Sequence, residues 1–259
     1  METQLQLDIL PQPDATTCGP TCLQAVYRFF GDHVSLEQVV SEVPTLETGG
    51  TLAVFLACHA LRRGYRARIY SYNLQVFDPT WFDQIGTDEM RRRLAQQLQY
   101  KRDAREEVAI SAFMSFLDLG GEVRCQDLTR NIIRRYLNRA IPILTGLSAT
   151  YLYRSAREFG PEGKPDDIHG EPAGHFVVLS GYDREAMNVA VADPLPNPVS
   201  NQQHYWVSID RVICSILLGI LTYDANLLVI QPRRARRLGA PQRGSSRAPH
   251  AGAFQGPQG

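Results

Sequence analysis

The residues 12–23, QPDATTCGPTCL, hold the side chains best placed for covalent chemistry. Cys18 lies two residues before Pro20. Proline is tolerated in the first turn of a helix, where its missing N–H is not needed, so this spacing predicts a helix beginning at or just after the cysteine. A thiol is a good nucleophile only as thiolate, and the positive end of a helix lowers its pKa. Attack on a carbonyl also needs two donors for the oxyanion. The backbone N–H of Cys18 can be one. The amide of Gln12, six residues upstream, can be the other. A general base must come from elsewhere in the chain. His175 opens the apolar run GHFVVLSGYD, and Asp193 ends the next one, NVAVADP. A carboxylate there can hold the imidazole by its second nitrogen, fixing tautomer and orientation.

Positioning these groups requires helices first and strands second. Leu23, Val26, Tyr27 and Phe30 follow Pro20 at helical spacing, and Gly31 stops that helix. Ser35 with Gln38 three residues later resembles a capping box for a second helix. Thr51 precedes a third, LAVFLACHALRR, closed by Gly64, and a strand is expected over about 67–72. Residues 75–121 read as a helical insertion of two amphipathic stretches, the first capped by Thr87 or Asp88 and the second ended by Gly120 and Gly121. After a helix near 128–138, short apolar runs at 141–147, 175–182, 188–192 and 227–230 read as strands. A loop over 159–174 rich in glycine and proline leads directly into His175. The expectation is an α+β fold with N-terminal helices packed on an antiparallel sheet.

The segment QPDATTCGPTCL, followed by GHFVVLSGYD and VADP, resembles the bacteriocin-processing (double-glycine leader) peptidases, a family of papain-like cysteine peptidases. The pattern covers the first 65 residues and roughly 128–231. Gln12, Cys18, His175 and Asp193 each fall on a position of the family motif. The resemblance implies the papain-like fold, a Cys18 nucleophile, a His175 base, an orienting Asp193 and an oxyanion donor at Gln12. It also implies a peptide or amide substrate and no cofactor. Cys18 and His175 stand 157 residues apart, wider than the family leads one to expect, and the insertion accounts for much of the excess. The sequence reads as a stand-alone member without transporter domains.

Three functions fit these residues. One is a peptidase or amidase working through a Cys18 thioester. Another is an acyl- or peptidyltransferase using the same thioester, and the third is a non-catalytic peptide-binding module of the same fold. Cys22 reads as a packed helix residue, and Cys58, Cys125 and Cys214 as core. No second Cys or His pair has zinc spacing, so no metal site is expected. His169, in the Gly/Pro loop, reads as a surface or substrate-side residue.

Composition narrows the setting. Apolar residues make up 44% and charged residues 21% of the 259, ordinary for a globular chain. Five cysteines at irregular spacings argue against a disulfide framework and for a reducing compartment, hence a cytoplasmic location. No apolar run reaches membrane-spanning length. The net charge is zero, yet six arginines and no acid lie beyond residue 232, leaving 21 basic against 27 acidic residues in the rest. Residues 232–259 therefore read as a disordered Arg/Gly/Pro-rich tail behind a domain of 1–231, with no nucleic-acid partner expected. Nothing in the sequence specifies an oligomeric state.

Overall fold

The computed structural model describes residues 2–233, apart from 48, 161, 199–200 and 223–224. In chain order the elements begin with β1 (Glu2–Gln4), α1 (Cys18–Phe29), α2 (Leu36–Glu42), α3 (Ala53–Arg62) and β2 (Tyr65–Ser71). Next come α4 (Thr87–Leu98), α5 (Ala104–Asp118), β3 (Glu122–Arg124), α6 (Arg130–Leu137), β4 (Ile143–Ser148) and α7 (Ala149–Tyr153). The chain continues through the small hairpin β5 (Glu158–Phe159) and β6 (Lys164–Pro165) to β7 (Gly174–Asp183) and β8 (Asn188–Ala192). It closes with β9 (His204–Ser208), α8 (Ile209–Leu218) and β10 (Asn226–Pro232).

One sheet organises the molecule, in the order β3-β2-β10-β4-β7-β8-β9, with β1 added on β7. Every pairing is antiparallel except β2 with β3. Its central strands are apolar on both faces. Phe176, Val178, Leu228 and Ile230 join one core with α1, α2, α3 and α5. Val177, Leu179, Leu227 and Val229 join a second core with α6 and α8. The N-terminal helices pack on the sheet as expected, and a second helical layer on the opposite face explains why the strands read as continuous apolar runs rather than alternating ones.

The helix limits follow from local chemistry, with some differences from expectation. Gly31 and Gly64 adopt φ of +81° and +90°, the left-handed conformation that ends a helix at little cost only for glycine. Ser35 caps α2 by accepting from the Gln38 N–H, but the Gln38 side chain turns to Glu42, so the box is half made. Thr51 does not cap α3; its hydroxyl donates to the Pro44 carbonyl and Leu52 takes the cap position. Gly86 precedes α4, placing Thr87 and Asp88 inside the helix. β10 continues through Pro232, so the ordered chain passes the expected start of the tail, and residues 234–259 lie outside those described. Among the described residues no helix is long and apolar enough to cross a membrane. Cys58 is core, Cys125 is half-buried, and Cys214 is exposed on α8, correcting its reading as core. The apolar neighbours of Cys214 cover one stripe of an amphipathic helix, and the cysteine lies off that stripe.

Candidate active site

α1 begins at Cys18. Thr17 precedes it without capping it, because the Thr17 hydroxyl is committed to the backbone of Asp14 at 3.2 Å. The first turn carries no acidic side chain, so the helix N-terminus keeps its partial positive charge at the thiol. Gly19 lets this end of α1 approach its neighbours. A Cβ there would stand 2.5 Å from Thr51 Cγ2, 3.2 Å from Leu56 Cδ1 and 3.3 Å from Phe176 Cδ2. Cys22, one turn on, is fully buried, and its thiol donates to the Phe176 carbonyl at 3.2 Å. Burial pushes the Cys22 pKa well up, and the charges of Cys18 and Asp193 push the same way. It is a packed thiol.

The sheet brings the other groups to one place. His175 sits near the start of β7, opposite Leu147. β8 pairs Ala192 with Val178, so Asp193 stands one step further, across from Val177 and diagonal to His175. Residues opposite or diagonal in this way share a face of the sheet. His175 Nε2 and Asp193 Oδ1 lie 2.8 Å apart. Nδ1 is the other ring nitrogen, and the charge of Cys18 acts on this imidazole. Cys18, His175 and Asp193 are all buried, at 8, 4 and 0% exposure. Burial alone would lower the His175 pKa. The hydrogen bonds to Asp193 and Cys18, with the charges of both, reverse this and raise it above 6.5. Burial would raise the Asp193 pKa, and the bonds and charge of His175 with two tyrosine hydroxyls hold it below 3.8. Both directions favour the charged forms, imidazolium beside carboxylate.

Those tyrosines were not singled out in the sequence. Tyr153, at the end of α7, and Tyr205, on β9, donate to Asp193 Oδ2 at 2.6 and 2.7 Å. Tyr205 is placed by register, since β9 pairs it with Val191 and so sets it diagonal to Asp193 on the same face, which the sequence alone does not state. Tyr153 has no such register, being carried on a five-residue helix. The Leu195 N–H completes the carboxylate by donating to Oδ1 at 2.9 Å.

Gln12 joins the same corner through its backbone, its N–H donating to the Pro194 carbonyl at 3.1 Å. Its Nε2 donates to the Asp14 carbonyl at 2.6 Å, which uses one of two hydrogens. Its Oε1 is buried without a hydrogen-bond partner. Thus His175 and Asp193 are hydrogen-bonded, the charge of Cys18 acts on the same imidazole, and Gln12 is tied to the residue after Asp193. His169 lies apart and exposed in the loop before β7, bonded to Asp166.

A buried thiol on a helix N-terminus, with an imidazole and a carboxylate at a sheet end, stands in the α+β arrangement of helices on an antiparallel sheet that the motifs led one to expect. The chain belongs to the Peptidase_C39 like family, whose model matches residues 4–213. Among solved structures it is similar to a double glycine motif protease from an AMS/PCAT transporter in complex with the leader peptide. That likeness has 13% identity, 89% of this chain and 95% of that one covered, and a TM-score of 0.43. It is also similar to the peptidase domain of Streptococcus ComA, a bi-functional ABC transporter involved in a quorum sensing pathway. There the identity is 14%, the coverage 88% and 100%, and the TM-score 0.41. Xylellain, a cysteine protease from Xylella fastidiosa, is 14% identical over 90% of this chain and 86% of its own, with a TM-score of 0.38. No curated protein sequence matches. Family and site together give the protein a peptidase-type function.

Proposed function

We propose that the protein is a cysteine peptidase that opens a peptide bond through a thioester on Cys18. The observation that carries this reading is the buried His175–Asp193 hydrogen bond, set against Cys18, whose charge acts on the same imidazole, at an uncapped helix N-terminus. Proton transfer from thiol to imidazole gives a thiolate–imidazolium pair, favoured on one side by the helix end and on the other by the Asp193 carboxylate. The thiolate attacks the carbonyl carbon and a C–S bond forms. The negative charge moves to the carbonyl oxygen, where the Cys18 N–H and the second Nε2 hydrogen of Gln12 receive it. Collapse breaks the C–N bond, and the amine leaves with the proton from His175. Water, deprotonated by His175, then attacks the thioester, releasing the acid and restoring the thiolate. Asp193 holds the imidazole throughout. Residues 75–121 are read as an addition in which α5 packs on α3 and α4 on α5, and with the loop before His175 these helices would shape the substrate cleft.

A proteome-derived peptide mixture, read by mass spectrometry, tests the proposal. The wild-type chain is expected to generate new peptide ends and Cys18→Ala none. Cleavage surviving in Cys18→Ala refutes the assignment. Product masses with and without an added amine show whether water or the amine takes the acyl group.

A further inference from the structure

Asp193 accepts four hydrogen bonds, and they divide unevenly between its oxygens. Oδ1 takes the His175 ring at 2.8 Å and the Leu195 N–H at 2.9 Å. Oδ2 takes two phenols, Tyr153 at 2.6 Å and Tyr205 at 2.7 Å. The phenols arrive from different elements, α7 and β9, and converge on one oxygen of a residue with no solvent exposure. Packing alone does not require two hydroxyls there.

We propose that Tyr153 and Tyr205 are positioning residues that hold the Asp193 carboxylate with Oδ1 on His175 Nε2, and so keep Nδ1 turned toward Cys18. This rests on reading Cys18 and His175 as the reacting pair. The terminal torsion of an aspartate is broad and two-fold, so the backbone alone does not decide which oxygen faces the imidazole. Two donors on Oδ2 decide it. They also decide the charge. Without them Oδ2 is a buried carboxylate oxygen with no partner, a state that is relieved by taking up a proton.

The other groups facing Asp193 do not supply a substitute. From α1 come Cys18 and Cys22, and burial keeps the Cys22 thiol protonated. From β7 comes His175, whose own burial favours the neutral ring unless a counter-charge is present. The Gln203 side chain bonds the carbonyl oxygens of Asp193 and Pro194, not the carboxylate. Both phenols are raised by burial and by the Asp193 charge, so they remain donors at any working pH. With Asp193 neutral, His175 loses the counter-charge that offsets its burial.

The test needs no substrate. Iodoacetamide alkylation of Cys18 is followed by peptide mass in the full chain from about pH 5 to about pH 9, bracketing the ordinary thiol value near about 8.5. It is run on wild type, Tyr153→Phe, Tyr205→Phe, the double variant and His175→Ala, with thermal unfolding of each alongside. Phenylalanine keeps the ring and removes only the hydroxyl. Each lost bond to a charged group is expected to shift the onset of reactivity upward by about one pH unit. The rate near about pH 6 should then fall at least about tenfold in the double variant, with His175→Ala marking the floor. A wild-type profile in the double variant overturns the proposal, even if its unfolding temperature drops, since a structural pair alters stability without altering the profile. Should the double variant fail to fold, wild-type profiles in both single variants overturn it equally. A wild-type protein without low-pH reactivity defeats the Cys18–His175 reading itself, and shows this before any tyrosine is changed.

Discussion

Replacing Asp193 by asparagine removes a charge and almost no volume, which makes it the sharpest perturbation of the site. The amide oxygen can still accept from His175 and Leu195, and the NH₂ can face Tyr153 and Tyr205, whose hydroxyls rotate to accept. Packing therefore survives while the counter-charge goes. A hydrogen bond to a charged partner is worth about 1.5–3 kcal/mol, and about 1.4 kcal/mol is one pK unit, so the imidazolium loses roughly one to two units of support. The sign follows from the direction of the His175 shift. Its folded pKa lies above 6.5, so the imidazolium is fully present below that value and is lost only as pH rises through the raised one. In Asp193→Asn the lowering by burial is offset by Cys18 alone. The charged window then closes from the alkaline side, from about 10 down to roughly 8–9, and above the lowered value the thiolate–imidazolium population falls roughly 10- to 100-fold. Alkylation of Cys18 by iodoacetamide, read by peptide mass across pH, measures this directly, and circular dichroism checks the fold. A folded Asp193→Asn protein alkylated with the wild-type pH profile would refute the claim that this carboxylate sustains the pair.

Two further substitutions probe the frame around the thiol. Gly19→Ala sets a Cβ 2.5 Å from Thr51 Cγ2, so despite a better helix former it should destabilise by about 1–3 kcal/mol in urea unfolding. Thr51→Ser, which removes that methyl and keeps the bond to Pro44, should recover most of the loss. Cys22→Ala should cost about 1–2 kcal/mol of stability as a buried truncation and leave the pH profile of Cys18 alkylation unchanged, while Cys22 itself stays unlabelled in native wild type.

How much of this could be read in the sequence depended on how local each signal was. The helix carrying Cys18 announced itself through Pro20 and Gly31, and the strands at 174–183, 188–192 and 226–232 through apolar runs that both cores require. β9 hid because it closes one edge of the sheet. Its residues alternate between exposed and half-buried, and HYWVS is too short for alternation to stand out. β1 and β3 hid because three residues carry no pattern, and only their partners on β7 and β2 make them strands. The site divides in the same way. Cys18, His175 and Asp193 each sit in a local context that states a role: a helix start, a glycine before a strand, a proline after one.

Tyr153 and Tyr205 carry no such context, and read alone each passes for core. Their meaning appears only once β9 lies beside β8 and α7 lies at the end of β4, because then two phenols from separate segments face one carboxylate oxygen. The groups proposed to touch the reacting atoms were therefore those named by short motifs. Those that fix the direction of the motifs were not, since their chemistry is created by strand order and register. The tyrosine-to-phenylalanine series acts on this second set without touching the first. A shift in its alkylation profile would show that the working pH range of Cys18 is set by tertiary contacts outside every motif.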